Sequence, residues 1–376
     1  MLKVAVLFVN FGPYHLARLA AFQEECDRQN WHFVGIELTR TDHVYAWRTE
    51  LDAFPGELHT VFSDRTLAEI PAWTASQRLI ALLNQLQPDV IAIMGYAEPT
   101  MLAALAWSRW HRKATILMSA TKEDDAPRSR FGEGIKRQII RQYQSALVGG
   151  KPQQRYLEKL GLASEQIFTG YNTVGNADFH PDRIRQLPRP NEKPYFLAIN
   201  RFVSKKNLPV LIDAYAAYRN QVGEAAWELV LCGDGELRSE LEQQIATLNL
   251  TESIRLPGFL QQAELLPYLA YAECFVHTSL QEQWGLVVNE AMAAGLPVIV
   301  SNRCGCFEDL VIEGVNGFGF DPNNTGELAA LMVTVSDRAI DLDKMGQAAI
   351  AQIQQFAPDR FAQGLSNAVN RALQLV

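Results

Sequence analysis

The sequence predicts an α/β protein of two Rossmann-like, parallel-sheet domains facing a cleft. Two observations carry this. Short apolar runs bounded by turn residues alternate with longer stretches of helical period, the pattern of parallel βα units, and these runs fall into two sets. A stretch rich in proline and charge, His180–Pro194, lies between the sets and reads as a linker. At 376 residues the chain is long for one hydrophobic core and natural for two.

The first set of expected strands is Val4–Val9, Phe33–Leu38, Val90–Met94, Thr115–Met118 and Ala146–Val148, closed by Ile167–Thr169. The second is Tyr195–Ile199, Glu228–Cys232, Ile254–Leu256, Cys274–His277, Val298–Val300 and Phe318–Phe320. The expected domains are therefore 1–186, 187–357 and a terminal helix over 358–376. In that helix Phe361, Leu365, Val369 and Leu373 recur at a spacing of four and make one face apolar. It either covers its own domain or crosses back to the first.

A formal charge of −8 argues against a nucleic-acid partner, because phosphate binding needs a basic surface. The apolar start of the chain ends at Asn10 and Gly12, far short of the ~20 residues of a membrane span, and reads as a buried strand. Five scattered cysteines favour a reducing, cytoplasmic setting over a disulfide framework. Cys304-Gly-Cys306 lacks the second pair that a zinc site needs. The first loop, Asn10-Phe11-Gly12-Pro13-Tyr14-His15, lacks the glycine spacing of a dinucleotide fingerprint, which argues against a nicotinamide dehydrogenase.

The most specific feature runs from Glu282 to Glu290, two carboxylates seven residues apart across a loop-to-helix junction. Glu290 is expected inside the helix and Glu282 on the loop, so both can face one ligand. The backbone N–H groups of Trp284, Gly285 and Leu286 at the helix start suit a diphosphate, and Gly285 permits its close approach. An acidic helix entry alone is common. What adds weight is Arg201 and Lys206, which follow the Tyr195–Ile199 strand on a loop where an α/β sheet binds its ligand. Arg201 can fork onto phosphate oxygens and Lys206 can add a point charge.

With Gly233-Asp234-Gly235-Glu236-Leu237, Leu256-Pro257-Gly258-Phe259-Leu260 and Gly314-Val315-Asn316-Gly317-Phe318, these motifs make the region from Pro194 to Asn324 resemble the C-terminal lobe of glycosyltransferase family 4, retaining enzymes of GT-B fold. The resemblance implies a nucleotide diphosphate sugar as donor, with Arg201 and Lys206 holding the diphosphate. It assigns Glu290 to the ribose, Glu282 to the transferred sugar, the Gly258-Phe259 turn to the base, and Gly233 to close passage beside the donor. It implies catalysis through Glu282, Arg201 and Lys206, with no cofactor. A nucleotide-sugar epimerase or hydrolase of the same architecture, or a silent sugar-nucleotide binder, would use the same pocket.

The N-terminal half departs from the family where a histidine often follows the strand equivalent to Thr115–Met118; here Ser119-Ala120-Thr121-Lys122-Glu123-Asp124-Asp125 stands instead. Acceptor-side candidates are Gly12, His15, Ser119, Thr121 and Lys122, with a local hydrogen bond at a helix start as the plain alternative for His15. The acceptor is a carbohydrate, a lipid-linked sugar or a small molecule. Glu123-Asp124-Asp125 invites a metal, but the cation pair already neutralises a leaving diphosphate, so no metal is expected. The stretch 109–141 is rich in Lys and Arg, either as a solvated face or as a peripheral contact with anionic membrane.

Overall fold

The computed structural model describes residues 1–41, 51, 54–337 and 340–376. They form two compact units, Met1–Gly175 with Phe356–Val376, and Asn176–Gln355.

In the first unit seven strands form one parallel sheet: β1 (Lys3–Phe8), β2 (His32–Thr41), β3 (Glu57–Thr66), β4 (Val90–Met94), β5 (Ala114–Ser119), β6 (Ser145–Val148) and β7 (Ile167–Thr169), in the order β3-β2-β1-β4-β5-β6-β7. Helices α1 (Pro13–Gln29), α2 (Ala72–Leu86), α3 (Pro99–Trp110), α4 (Arg130–Ile140) and α5 (Lys151–Leu160) join them. The central strands are buried on both faces, which is why they read as unbroken apolar runs. Strand β3 was not expected. Among the described residues it pairs only with β2 and is half-buried or exposed throughout, so Leu58, Val61 and Phe62 are interleaved with Glu57, His59, Thr60, Ser63 and Asp64 and give no such run.

The second unit carries β8 (Tyr195–Ile199), β9 (Glu228–Cys232), β10 (Ile254–Gly258), β11 (Cys274–His277), β12 (Val298–Ser301) and β13 (Gly317–Phe320), parallel in the order β10-β9-β8-β11-β12-β13. Its helices are α6 (Asn176–Phe179), α7 (Pro181–Ile184), α8 (Leu208–Val222), α9 (Arg238–Thr247), α10 (Gln262–Tyr271), α11 (Leu286–Ala293), α12 (Phe307–Leu310), α13 (Thr325–Ser336) and α14 (Leu342–Ile353). The expected linker is partly absorbed into this unit. Ile184 on α7 is fully buried, and the Tyr271 hydroxyl donates to the Arg185 carbonyl at 2.8 Å. The units accordingly part at Gly175/Asn176 rather than at 186/187.

Helix α15 (Pro358–Leu373) lies on the first unit's sheet. Phe361 meets Phe22 edge-on at 6.5 Å, and Ser145 Oγ donates to the Ala368 carbonyl at 2.7 Å. Of the two readings of this helix, the one that returns it to the N-terminal unit describes the structure.

In both sheets the chain reverses direction of strand addition beside the first strand, between β1 and β4 and between β8 and β11. Ligands of open α/β sheets bind at the carboxyl ends of such strands.

Candidate active site

In the second unit the residues after β8 and β11 converge. The chain leaves β8 through Asn200 and Arg201, makes a short 3-10 turn over Ser204–Lys206, and enters α8 through Asn207, whose φ of 58° is left-handed. Asn207 holds that turn by donating from Nδ2 to the Pro322 carbonyl at 2.8 Å. Two bonds fasten the turn to the segment after β11: Thr278 Oγ1 donates to the Lys206 carbonyl at 2.8 Å, and Leu280 N–H to the Lys205 carbonyl at 2.9 Å.

This stitching brings the Lys206 ammonium onto the Glu282 carboxylate as an ion pair, with the two side chains only 11% and 16% exposed. The sequence placed Lys206 on the loop after β8, and there its side chain is buried, with its backbone tied to the segment after β11. Behind the pair stand two residues the sequence reading missed. His277, the last residue of β11, is fully buried, with Nε2 at 3.4 Å from Glu282 Oε2. Ser279 Oγ is 3.1 Å from that Nε2 and 3.4 Å from Glu282 Oε2. The available signal was a polar residue ending the apolar run Cys274-Phe275-Val276 at a central strand's carboxyl end. Burial opposes ionisation of Glu282, but the His277 hydrogen bond and the Lys206 charge outweigh it and hold the carboxyl well below the usual range. Burial keeps His277 below its ordinary value, against the pull of Glu282.

Glu282 is held from the other side as well. Its carbonyl accepts from Gly305 N–H at 3.1 Å, and that of Trp284 from Cys306 N–H at 3.1 Å. Gly285 caps α11 at φ 103°, and a Cβ there would stand 3.4 Å from Glu282 Cγ and 3.6 Å from His277 Nε2. Leu286 opens the helix, Trp284 is buried with Nε1 donating to Asn289 Oδ1 at 2.8 Å, and Glu290 lies on α11 with 4% exposure. The loop and helix placements of the two carboxylates thus agree with the sequence reading.

The loops after β9 and β10 close the same edge. Gly233 has φ 135°, and a Cβ there would lie 1.7 Å from the Asn200 carbonyl oxygen; the glycine admits the neighbouring loop's own backbone. Gly233 N–H donates to the Gly258 carbonyl at 2.7 Å, and Phe202 N–H to that of Asp234 at 2.8 Å. Phe259 follows with its side chain half exposed. Asn200 is a further polar residue that sequence reasoning passed over: it is buried, and both its amide atoms lack a partner among the described residues.

The first unit gathers its candidates in two places. Gly12 begins α1 and donates its N–H to His15 Nδ1 at 3.0 Å, while the His15 ring tilts onto Phe8 at 4.3 Å. Burial, then the Arg18 charge, lower its pKa to about 3, so His15 is neutral at physiological pH. That bond is the plain reading of this residue. After β5, Ser119 is buried and its Oγ accepts from Thr121 N–H at 3.2 Å, and Lys122 is buried against Asp124. Each carboxylate of the acidic run has its own cation: Glu123 pairs with Lys159, Asp124 with Lys122 and Asp125 with Arg128.

Two open, parallel α/β sheets in two compact units are the make-up of the GT-B architecture. Among solved structures the whole chain superposes on a glycosyltransferase from Rickettsia africae (TM-score 0.77, 14% identity, 100% of this chain and 99% of that one). It also superposes on Anabaena HepE in complex with UDP-glucose (TM-score 0.72, 20% identity, 100% of both chains). Residues 180–352, a stretch within the second unit, match the family described as Glycosyl transferases group 1. The amylovoran biosynthesis glycosyltransferase AmsK of Erwinia amylovora is 31% identical over 164 residues, 42% of this chain and 40% of that protein. The chain thus aligns with about two fifths of that relative's length.

Proposed function

We propose that this protein is a retaining, metal-independent glycosyltransferase, moving a sugar from a nucleoside diphosphate to an acceptor hydroxyl. The observation that carries the reading is the buried Lys206–Glu282 pair at the carboxyl ends of β8 and β11. As the bond from the anomeric carbon to the β-phosphate oxygen breaks, negative charge grows on the phosphate, and Arg201 and Lys206 are the cations suited to it. The acceptor oxygen bonds to the same face of the anomeric carbon and its proton passes to the departing phosphate, so no strongly basic side chain is required. Glu282 receives the hydroxyls of the sugar, Glu290 those of the ribose, and the Gly258-Phe259 turn the base. HepE was solved with UDP-glucose, which supports a nucleotide sugar as donor.

The test is release of nucleoside diphosphate from a panel of nucleotide sugars. Acceptor-dependent release that persists in excess EDTA is expected. Release without acceptor would mark a hydrolase, a changed sugar an epimerase, and binding without turnover a silent sugar-nucleotide binder. Loss in EDTA with rescue by magnesium would return a metal to the reaction. In calorimetric titration, Glu290→Gln is expected to weaken the bare diphosphate, which carries the ribose, while Glu282→Gln lowers turnover and leaves that affinity nearly unchanged.

The reading also includes a peripheral contact with anionic membrane in a cytoplasmic setting. No helix among the described residues is long and apolar enough to cross a membrane. On α4, however, Phe131 is 82% and Ile135 49% exposed, one turn apart, and Arg130, Arg137 and Arg141 form an adjoining exposed stripe. Two apolar side chains beside cations suit the headgroup boundary of an acidic leaflet. Flotation with phosphatidylglycerol vesicles is expected and with phosphatidylcholine vesicles is not. Phe131→Ser with Ile135→Ser should abolish it, and flotation unchanged in that double variant would leave α4 as an ordinary solvated face.

A further inference from the structure

Lys206 pairs with Glu282, yet the proposed reaction asks it to serve the β-phosphate, so something must hold the carboxylate when the lysine turns to the diphosphate. We propose that His277 and Ser279 form a bracket that keeps the Glu282 carboxylate in position for the sugar while Lys206 moves from it to the diphosphate. This deepens the assignment of Glu282 to the sugar and rests on it. His277 and Ser279 are positioning residues, since neither is argued to touch the donor.

The geometry fixes which proton His277 carries. Its Nδ1 is buried and without a partner among the described residues, whereas Nε2 faces both Ser279 Oγ and Glu282 Oε2. A proton on Nδ1 would be a buried donor with nowhere to go, so it sits on Nε2 and is shared between the hydroxyl and the carboxylate. The cation would leave Nδ1–H unpaired, so the ring stays neutral and adds no charge that would compete with Lys206 for phosphate. Ser279 Oγ–H supplies a second donor to the same carboxylate oxygen. Nε2 and Ser279 Oγ each stand 3.4 Å from Glu282 Oε2, and such contacts tighten when a substrate orders them. Hydrogen bonds to a charged acceptor are about twice as strong as neutral ones, so two of them can keep an anion placed after its counter-ion has gone. The ring is held in place, because His277 is the last residue of β11 and is fully buried.

The test compares His277→Leu, His277→Gln and Ser279→Ala with the unaltered protein, by turnover against pH and by calorimetry with the bare nucleoside diphosphate. His277→Leu is expected to lower kcat on the order of 10- to 100-fold, the effect of a misplaced reacting group. Diphosphate affinity should stay within about threefold. The acid limb of the kcat profile should rise by about one pH unit, because Glu282 loses a donor that favours its anion. His277→Gln, whose amide N–H reaches a similar point, should recover most of the rate and return the limb, and Ser279→Ala should show a smaller shift of the same sign. A limb unmoved in His277→Leu, or in Ser279→Ala should the leucine variant fail to fold, overturns the bracket. So does an equal loss of diphosphate affinity. Failure of the functional reading looks different: the unaltered protein would then bind no nucleoside diphosphate.

Discussion

Lys206→Ala is expected to lower turnover 10²- to 10³-fold, about 2.7–4 kcal/mol of the barrier, as removal of one preorganised transition-state donor does elsewhere. The same substitution should also destabilise the protein, because it strands a carboxylate that is 16% exposed. Breaking a buried pair from one side costs about 3–5 kcal/mol, and the residual exposure of both side chains places this one near the lower figure. The pH dependence has a definite sign. The folded Glu282 carboxyl is depressed below its ordinary value, so the pair's contribution is fully present above about pH 4.5 and fades as pH falls below it. The gap in unfolding free energy between Lys206→Ala and the unaltered protein should therefore shrink in acid. Lys206→Met combined with Glu282→Gln removes both charges and should restore stability to within about 1 kcal/mol while leaving turnover low. Arg201, only half-buried, supplies the contrast: Arg201→Ala should lose rate with little loss of stability. Urea unfolding and steady-state rates read both quantities. A Lys206→Ala protein with near-normal turnover removes the lysine from the diphosphate.

That prediction separates what was legible in the sequence from what was not. The central strands of both sheets were legible because burial on two faces writes an apolar run, whereas β3 has no fully buried residue and mixes polar with apolar ones. The motifs of the second unit were legible because loops at the carboxyl ends of strands keep glycine, cation and carboxylate at short, ordered spacings. Their partnerships were not. Lys206 and Glu282 are 76 positions apart, and only the adjacency of β8 and β11, a consequence of topology, makes them an ion pair. His277 was hidden for a related reason, since in the sequence it merely ends an apolar strand and its partner Glu282 lies on the following loop. In the first unit His15 was visible as a polar residue after β1, but its bond to Gly12 N–H follows from the cap geometry of α1 and not from its identity.

The largest stability effect should come from α15. Phe361, Leu365, Val369 and Ala372 are fully buried against the first unit's sheet, while Leu373, which continues the spacing of four, is 39% exposed. Burial of each large apolar side chain stabilises by about 1.5–3 kcal/mol, so the three largest together approach the 5–15 kcal/mol that holds an ordinary domain. A chain ending at Gln355 is therefore expected to leave Met1–Gly175 unfolded, seen as rapid proteolysis confined to that unit. Phe361→Ala alone should cost about 3–5 kcal/mol, since it also loses the edge contact with Phe22, and Leu373→Ala less than about 0.5. Gly364 gives a test that removes no apolar surface. A Cβ there would stand 2.4 Å from the Thr169 carbonyl oxygen on β7, so Gly364→Ala must lift the helix from the sheet edge at a cost of about 1–3 kcal/mol, although alanine is the better helix former. If Gly364→Ala instead stabilises the protein, the close seat of α15 on β7 is wrong. If the truncated chain keeps its first unit resistant to protease, the helix is a cover the sheet does not need.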